Sequence, residues 1–134
     1  MSIRHILVVD DEPDIRSLVK EILEDEGFNV AVAENASQAR RFVESFKPDL
    51  ILLDIWMPDI DGISLLKEWH EKNILSSPVV MMSGHGNVET AVEATRLGAF
   101  DFIEKPLSIA KLLLTIKHAL ENSSLQQENL QLLL

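Results

Sequence analysis

The stretch Ile6-Leu7-Val8-Val9-Asp10-Asp11-Glu12 joins four consecutive apolar residues to three acids. Leu50-Ile51-Leu52-Leu53-Asp54 has the same form, and Val79-Val80-Met81-Met82-Ser83 ends in a hydroxyl. Uninterrupted apolar runs of this length are typical of parallel strands that are covered on both faces. A strand with one exposed face alternates apolar and polar residues instead. The sequence therefore predicts a buried parallel sheet whose strands end in polar side chains.

Two weaker runs, Val30–Val32 and Phe100–Ile103, raise the number of predicted strands to five, and an amphipathic stretch follows each strand. Apolar residues recur at spacings of three and four in these stretches, which predicts helices. The five stripes are Ile15, Leu18, Val19, Ile22 and Leu23; Ala36, Ala39, Phe42, Val43 and Phe46; Ile63, Leu65, Leu66 and Trp69; Val88, Ala91, Val92, Thr95 and Leu97; and Ile109, Leu112, Leu113, Ile116 and Leu120. Alternating strands and helices predict a three-layer α/β domain with an open sheet, since a closed barrel of this kind needs about 250 residues.

Composition excludes several classes of protein. The chain has 134 residues, which suits one domain of roughly 100–150 residues. Hydrophobic residues make up 46%, too many for a disordered acidic chain, and the net charge of −10 argues against direct binding of nucleic acid. Cysteine is absent, and neither a membrane span nor a signal peptide can be recognised. We therefore expect a cytoplasmic domain without disulfides or thiol chemistry.

Polar residues at the strand ends indicate where the chemistry lies, because open α/β sheets bind ligands outside the carboxyl ends of their strands. These residues are Asp10, Asp11, Glu12, Asp54, Ser83 and Lys105. Two carboxylates about 4 Å apart repel by roughly 4 kcal/mol at an effective dielectric constant near 20. Mg²⁺ relieves such repulsion and binds one or two carboxylates together with phosphate oxygens. Taken singly, each residue also has a plain structural explanation, such as the helix cap that we expect from Asp14.

An aspartate can act as a nucleophile towards phosphorus and form an aspartyl phosphate. This chemistry needs a metal ion, a cation for the phosphoryl oxygens and donors that orient them. The ordered set of strand-end residues provides all three, with Asp54 as nucleophile and with Lys105 and Ser83 beside it.

These features resemble the receiver domain of two-component response regulators over about residues 4–121. The matching segments are Val8–Glu12, Leu53–Gly62, Met82–Gly86 and Phe102–Pro106. The resemblance implies a flavodoxin-like (βα)5 fold with a five-stranded parallel sheet in the order 2-1-3-4-5.

The same resemblance implies a role for each matching residue. Asp54 accepts a phosphoryl group from a sensor histidine kinase, and Lys105 pairs with the phosphoryl oxygens. Ser83 and Phe102 take the two switch positions, and the Lys105–Pro106 bond is expected to be cis. Mg²⁺ is expected to be held by Asp10, Asp11, Asp54 and the backbone carbonyl of Trp56.

The segments Ser83–Gly86 and Ala99–Pro106 resemble, more narrowly, the NtrC and NtrX type of nitrogen-regulation regulators. In those proteins a sigma-54-interacting AAA+ domain and a DNA-binding domain follow the receiver. We therefore expect residues 1–121 to form a receiver domain and residues 122–134 to begin a helical linker to an effector domain that this chain lacks.

The C-terminal stretch also has a heptad pattern, which predicts a weak homodimer through the fourth helix, fifth strand, fifth helix and tail. The two series are Ile109, Ile116, Ser123 and Leu130, and Leu113, Leu120, Gln127 and Leu134. A flexible tether over residues 122–134 is the alternative.

Two other classes of function remain alternatives. The segment Asp59-Ile60-Asp61-Gly62 matches the DxDG motif of phosphatases that use an aspartate nucleophile, and it also approaches a calcium-binding loop. The chain could instead be a non-catalytic flavodoxin-like interaction module, since a fold does not determine a function. Such a module would be expected to lack the acceptor aspartate or the lysine, whereas this chain has both.

Overall fold

The computed structural model describes residues 3–72, 76–84 and 88–133, along which five strands alternate with five helices. The strands are β1 (His5–Val9), β2 (Asn29–Ala33), β3 (Leu50–Asp54), β4 (Val79–Gly84) and β5 (Asp101–Lys105). The helices are α1 (Pro13–Asp25), α2 (Ala36–Ser45), α3 (Gly62–Lys72), α4 (Val88–Arg96) and α5 (Ile109–Leu133). Each predicted apolar run coincides with a strand except for Phe100, which precedes β5. Each predicted stripe lies on a helix except for its last residue in two cases, Phe46 after α2 and Leu97 after α4.

The strands form one parallel sheet in the order β2-β1-β3-β4-β5, which confirms the predicted fold. Strand β3 lies between β1 and β4, and β4 in turn pairs with β5. The register places Asp54 opposite Met82, and Gly84 opposite Lys105. The carboxyl ends of β1, β3, β4 and β5 therefore meet at one edge of the sheet.

Two hydrophobic cores lie on opposite faces of the sheet because successive strand residues point in opposite directions. In β1, Leu7 and Val9 pack with residues of α2, α3 and α4, whereas Ile6 and Val8 pack with residues of α1 and α5. Every residue of β3 is buried. This burial on both faces explains why the central strands read as uninterrupted apolar runs.

The ends of α1 follow from local chemistry. Pro13 occupies the first turn, where its missing N–H needs no partner, and Gly27 has φ of +92° just beyond the last turn. The expectation that Asp14 caps this helix is wrong. Glu12 holds the N-cap position, its side chain makes no capping hydrogen bond, and Asp14 lies within the first turn.

Several described residues of the predicted stripes lie outside the core, among them Thr95, which is exposed. Leu18 on α1 and Val92 on α4 are each 46% exposed, and Ile109 at the start of α5 is 53% exposed. The buried residues of α1, Val19 and Leu23, lie four residues apart, so Leu18 falls at the rim of the face that meets the sheet.

Helix α5 extends for 25 residues from Ile109 to Leu133. Its buried residues include Leu112, Ile116 and Leu120, which pack on the sheet. The side chains of the heptad positions Ser123, Gln127, Leu130 and Leu134 lie outside the described residues. None of the helices in the described part of the chain has the length and apolarity to cross a membrane.

Gly62 begins α3 directly against the end of β3. Its N–H donates to the carbonyl of Ile55 at 2.6 Å, and a Cβ atom at this position would overlap the carbonyl oxygen of Asp54. Since backbone atoms cannot move aside as a flexible side chain can, this close approach requires glycine.

We expect Gly62→Ala to lower the free energy of unfolding by about 1–3 kcal/mol, because the added methyl group forces the backbone of β3 and α3 apart. Gly84→Ala is the matched control, since a Cβ at Gly84 meets no atom within 4 Å. Urea denaturation of both variants measures the difference. Equal unfolding midpoints for the two variants would contradict the proposed clash.

Candidate functional site

Four strand ends bring the predicted site residues to one cleft. Asp10 follows β1, Asp54 ends β3, Ser83 lies in β4 and Lys105 ends β5. Asp10 and Ser83 are buried, and the side chain of Asp54 is only 4% exposed. Polar groups buried in this way need partners, because removing a charge from water without one is unfavourable.

Lys105 provides the partner for the acids of the cleft. Among the described residues, its Nζ lies 2.9 Å from Oδ2 of Asp10, 3.3 Å from Oδ1 of Asp54 and 3.3 Å from Oε1 of Glu12. Partial burial lowers the pKa of Lys105, but its contact with Asp10 and the charges of Asp10 and Asp54 outweigh burial and raise the pKa above its usual value. The ammonium group is therefore charged and paired.

The surroundings of Asp54 disfavour its charged form. Burial, followed by repulsion from Asp10, raises the pKa of Asp54 to about 7, although Lys105 acts in the opposite direction. The charge of Asp11 adds a smaller repulsion. Lys105 alone thus does not balance the negative charge of these carboxylates.

Backbone contacts hold the turn that follows β1. The N–H of Glu12 donates to Oδ1 of Asp10 at 2.9 Å, and Nη1 of Arg16 donates to the carbonyl of Asp10 at 2.7 Å. Arg16 also lies near Glu34, with 3.8 Å between Nη2 and Oε2. These contacts fix Asp10 in place. No local pattern predicts this role of Arg16, whose side-chain partners lie after β1 and after β2.

The residues of the cleft fit a hard divalent cation. Ligand oxygens of Asp10, Asp11 and Glu12 lie within 4.8 Å of one another, and Asp54 shares Lys105 with Asp10. Carboxylate oxygens are the ligands that Mg²⁺ prefers, and a cation among them would relieve the repulsion that raises the pKa of Asp54. The acid cluster thus suits Mg²⁺ in donor chemistry and in charge.

The remaining predicted residues lie on the same strands or directly after them. The hydroxyl of Ser83 donates to the carbonyl of Gly84 at 3.0 Å. Phe102, in β5, is partly buried and packs against the core on the α2–α4 side of the sheet. Trp56 follows the end of β3 and is 66% exposed. The Lys105–Pro106 peptide bond is cis, as expected. A metal-ligand role for the carbonyl of Trp56 stays a prediction.

The acids of the DxDG segment have structural partners. Asp59 accepts hydrogen bonds from the N–H groups of Ala36 and Ser37, at 3.0 and 3.1 Å, and so caps the start of α2 from another loop. Asp61 accepts from the N–H and the hydroxyl of Ser64 and caps α3. Both carboxylates accept hydrogen bonds at the starts of helices, which weakens the phosphatase and calcium-loop alternatives.

The parallel sheet and the polar residues at its carboxyl edge agree with what comparison with known proteins shows. Residues 6–117 match the response regulator receiver domain, so the chain belongs to that family.

Relatives of the NtrX type are similar over nearly the whole chain. The nitrogen assimilation regulatory protein NtrX of Azorhizobium caulinodans is 48% identical over 128 residues, which cover 92% of this chain and 27% of that protein. The crystal structure of NtrX from Brucella abortus has a TM-score of 0.91 and 47% identity over 98% of this chain and 30% of that one. The crystal structure of its receiver domain has a TM-score of 0.81 and 50% identity over 87% of this chain and 98% of that one. The chain spans 27–28% of the length of the curated relatives that it resembles.

Replacing Asp59 with alanine should lower the free energy of unfolding by about 0.5–2 kcal/mol at pH 7, because the first N–H groups of α2 lose their acceptor. Burial opposes the effect, but the N–H groups of Ala36 and Ser37 lower the pKa of Asp59 below its usual value. The stabilisation that comes from the charge of Asp59 is therefore at its maximum above about pH 3.9, the pKa of an aspartate in the unfolded chain. It is lost as the pH falls through the lower pKa that Asp59 has in the folded protein.

Thermal or urea unfolding of the wild type and of Asp59→Ala between pH 7 and pH 2.5 measures this difference. The gap between the two proteins should narrow towards the acidic end. A gap that widened as the pH fell would contradict the capping role.

Proposed function

We propose that this chain is a phosphorylation-dependent signalling switch that accepts a phosphoryl group from a sensor histidine kinase onto Asp54. The observation that carries the proposal is the contact of Lys105 with both Asp54 and Asp10 at the carboxyl edge of the sheet. A nucleophilic carboxylate, a second acid and a paired cation are the groups that phosphoryl transfer to aspartate requires.

In the proposed reaction, a carboxylate oxygen of Asp54 forms a bond to phosphorus while the bond between phosphorus and the donor imidazole nitrogen breaks. The leaving imidazole keeps the electron pair of that bond and later takes a proton. Lys105 neutralises charge on the phosphoryl oxygens. Mg²⁺, held by Asp10, Asp11, Asp54 and the carbonyl of Trp56, supplies further neutralisation when bound. The domain thus promotes its own phosphorylation and dephosphorylation and does not turn over an external substrate.

The signal is proposed to leave the site through Ser83 and Phe102. The Ser83 hydroxyl has a neutral backbone acceptor, the carbonyl of Gly84, which a charged phosphoryl oxygen can replace as a stronger acceptor. Movement of Ser83 frees space that partly buried Phe102 can enter. Because Phe102 has no hydroxyl, it would transmit the change by packing alone, to the surface formed by α4, β5 and α5.

We infer further that this surface controls a transcription-activating region in a longer cytoplasmic protein. The NtrX relatives support this proposal, since the chain matches little more than a quarter of their length. In such a protein, residues 1–121 would be the receiver and residues 122–134 would begin the linker to AAA+ and DNA-binding domains. The receiver itself, with its net charge of −10, would not bind DNA.

The acceptor is tested by Asp54→Asn, which replaces the nucleophilic oxygen without changing the shape of the side chain. Treatment with acetyl phosphate and Mg²⁺ should add one phosphoryl mass to the wild type and none to the variant, as measured by intact mass. Omission of Mg²⁺ should reduce labelling of the wild type by at least about tenfold, since the cleft then repels the phosphoryl donor.

Asp59→Asn is the matched control, because the phosphatase alternative makes Asp59 the nucleophile. We expect it to be labelled like the wild type. Loss of labelling in Asp59→Asn with full labelling of Asp54→Asn would move the acceptor to Asp59 and refute the receiver proposal.

A weak homodimer is proposed on the face of α4, β5 and α5. Val92 on α4 and Ile109 on α5 are about half exposed, and α5 continues for 13 residues beyond Leu120, the last buried residue described in it. Apolar side chains in these positions favour contact with a second copy. A version ending at Asn122 keeps the buried part of α5 and removes the rest of the helix.

Analytical ultracentrifugation of the full chain and of the version ending at Asn122 tests this proposal. We expect concentration-dependent dimerisation of the full chain and weaker association of the shortened one. Equal, monomeric behaviour of both at high concentration would refute a dimer through the tail.

A further inference from the structure

Glu12 makes a contact that neither the fold nor helix capping explains. It occupies the N-cap position of α1, where a side chain commonly accepts a hydrogen bond from the first turn, but it makes no such bond. Its carboxylate reaches instead across the cleft to Lys105, 93 residues away in sequence, with 3.3 Å between Oε1 and Nζ. The side chain of Glu12 thus faces the site and not its own helix.

The three carboxylates that contact Lys105 in the described structure differ in their freedom to move. The side chain of Asp10 is wholly buried, and that of Asp54 is 4% exposed. Asp10 is also fixed by the N–H of Glu12 and by Arg16. The side chain of Glu12, by contrast, is 58% exposed and can rotate into solvent without leaving a buried charge behind. Of these three contacts to Lys105, the one with Glu12 is therefore the easiest to break.

We propose that Glu12 is a positioning residue that competes with the phosphoryl group for Lys105. In the unphosphorylated domain, Glu12 helps to hold the ammonium group among the acids of the cleft. An arriving phosphoryl group, more highly charged than a carboxylate, displaces Glu12 from Lys105, and the Glu12 side chain turns towards solvent. This inference rests on the proposed function, since it assumes phosphorylation of Asp54.

Two opposite effects follow from the charge of Glu12. Its carboxylate adds negative potential beside Asp10 and Asp11, so it strengthens binding of a divalent cation. The same charge repels an anionic phosphoryl donor and occupies the lysine that the donor needs. Removing the charge should weaken binding of Mg²⁺ and, once Mg²⁺ is saturating, accelerate phosphorylation. A residue with a merely structural role would impair both properties together.

The experiment uses Glu12→Gln, which keeps the shape of the side chain and removes its charge. Mg²⁺ affinity is measured by isothermal titration calorimetry without a phosphoryl donor. The rate of phosphorylation by acetyl phosphate is measured by intact mass at Mg²⁺ concentrations that saturate each protein. Relative to the wild type, we expect the dissociation constant for Mg²⁺ to rise roughly threefold to tenfold and the phosphorylation rate to rise about threefold.

Asp14→Asn is the matched control, because Asp14 is an exposed acid in the first turn of the same helix. It removes one unit of charge at the N-terminus of α1 without touching the Glu12–Lys105 contact. Both of its values should stay within about twofold of the wild type, since exposed charges at a distance are screened. Thermal unfolding of both variants verifies that each is folded.

Each other outcome decides against the inference. A loss of Mg²⁺ affinity of about a hundredfold would make Glu12 a metal ligand, and slower phosphorylation would show that its carboxylate assists the reaction. Equal changes in Glu12→Gln and Asp14→Asn would assign the effect to the net charge of the helix end. Absence of phosphorylation at Asp54 in the wild type would instead refute the proposed function, so the two failures are distinguishable.

Discussion

The ion pairs of Lys105 are the interaction on which the rest of the site depends. Asp10 and Asp54 are almost completely buried at the ends of two adjacent strands, where two unpaired carboxylates would repel each other and lose their hydration. An ammonium group from β5 lies within 3.3 Å of both. This contact requires the observed strand order, because β3 must lie beside β1 and β5 must end at the same edge. The topology and the charge pairing therefore depend on each other.

The loop after Asp54 is held by contacts on several sides, which keep Asp54 in place. Gly62 allows the start of α3 to approach the backbone of Asp54, and Asp61 caps the same helix. Asp59 reaches back to the first N–H groups of α2. A bidentate ion pair between Arg40 and Glu68, with both N–O distances at 2.9 Å, joins α2 to α3. The loop that follows Asp54 is therefore in contact with two helices and with the sheet.

Most of the fold could be predicted from the sequence because strands buried on both faces leave a strong signal. The run Leu50–Leu53 predicts a strand without any knowledge of the neighbouring strands. Once the strands are predicted, the acids and the lysine at their ends are expected to lie together at the ligand-binding edge of the sheet. The spacing of apolar residues does not define the buried face of each helix completely. Leu18 and Val92 lie at the spacing of a core stripe but at its rim, and only the packing of the helix on the sheet decides which side is covered.

The roles of Glu12, Arg16 and Asp59 could not be predicted, for a common physical reason. Each is a charged side chain whose partner lies in another segment, and local sequence carries no information on contacts of that kind. Asp59 illustrates the difficulty, because its motif is typical of a nucleophile while its carboxylate caps a distant helix. Glu12 is predicted only as one of the acids that follow the first strand, and the structure adds its contact with Lys105.

The negative charges of the cleft have opposite effects on the two species that the proposed reaction needs, a cation and a phosphoryl donor. Asp10, Glu12 and Asp54 contact the ammonium group of Lys105, and Asp11 adds a fourth carboxylate beside Asp10 and Glu12. This excess of negative charge favours a divalent cation and disfavours an anionic phosphoryl donor. The buried acids cannot relieve this conflict, since Asp10 is fixed by its hydrogen bonds and Asp54 is the proposed acceptor itself. Glu12 combines contact with Lys105 and access to solvent, so its position can change as the charge on Asp54 changes. If the cleft binds Mg²⁺ and then a phosphoryl group, as proposed, the exposed carboxylate of Glu12 at the start of α1 is the negative charge that can move away from Lys105.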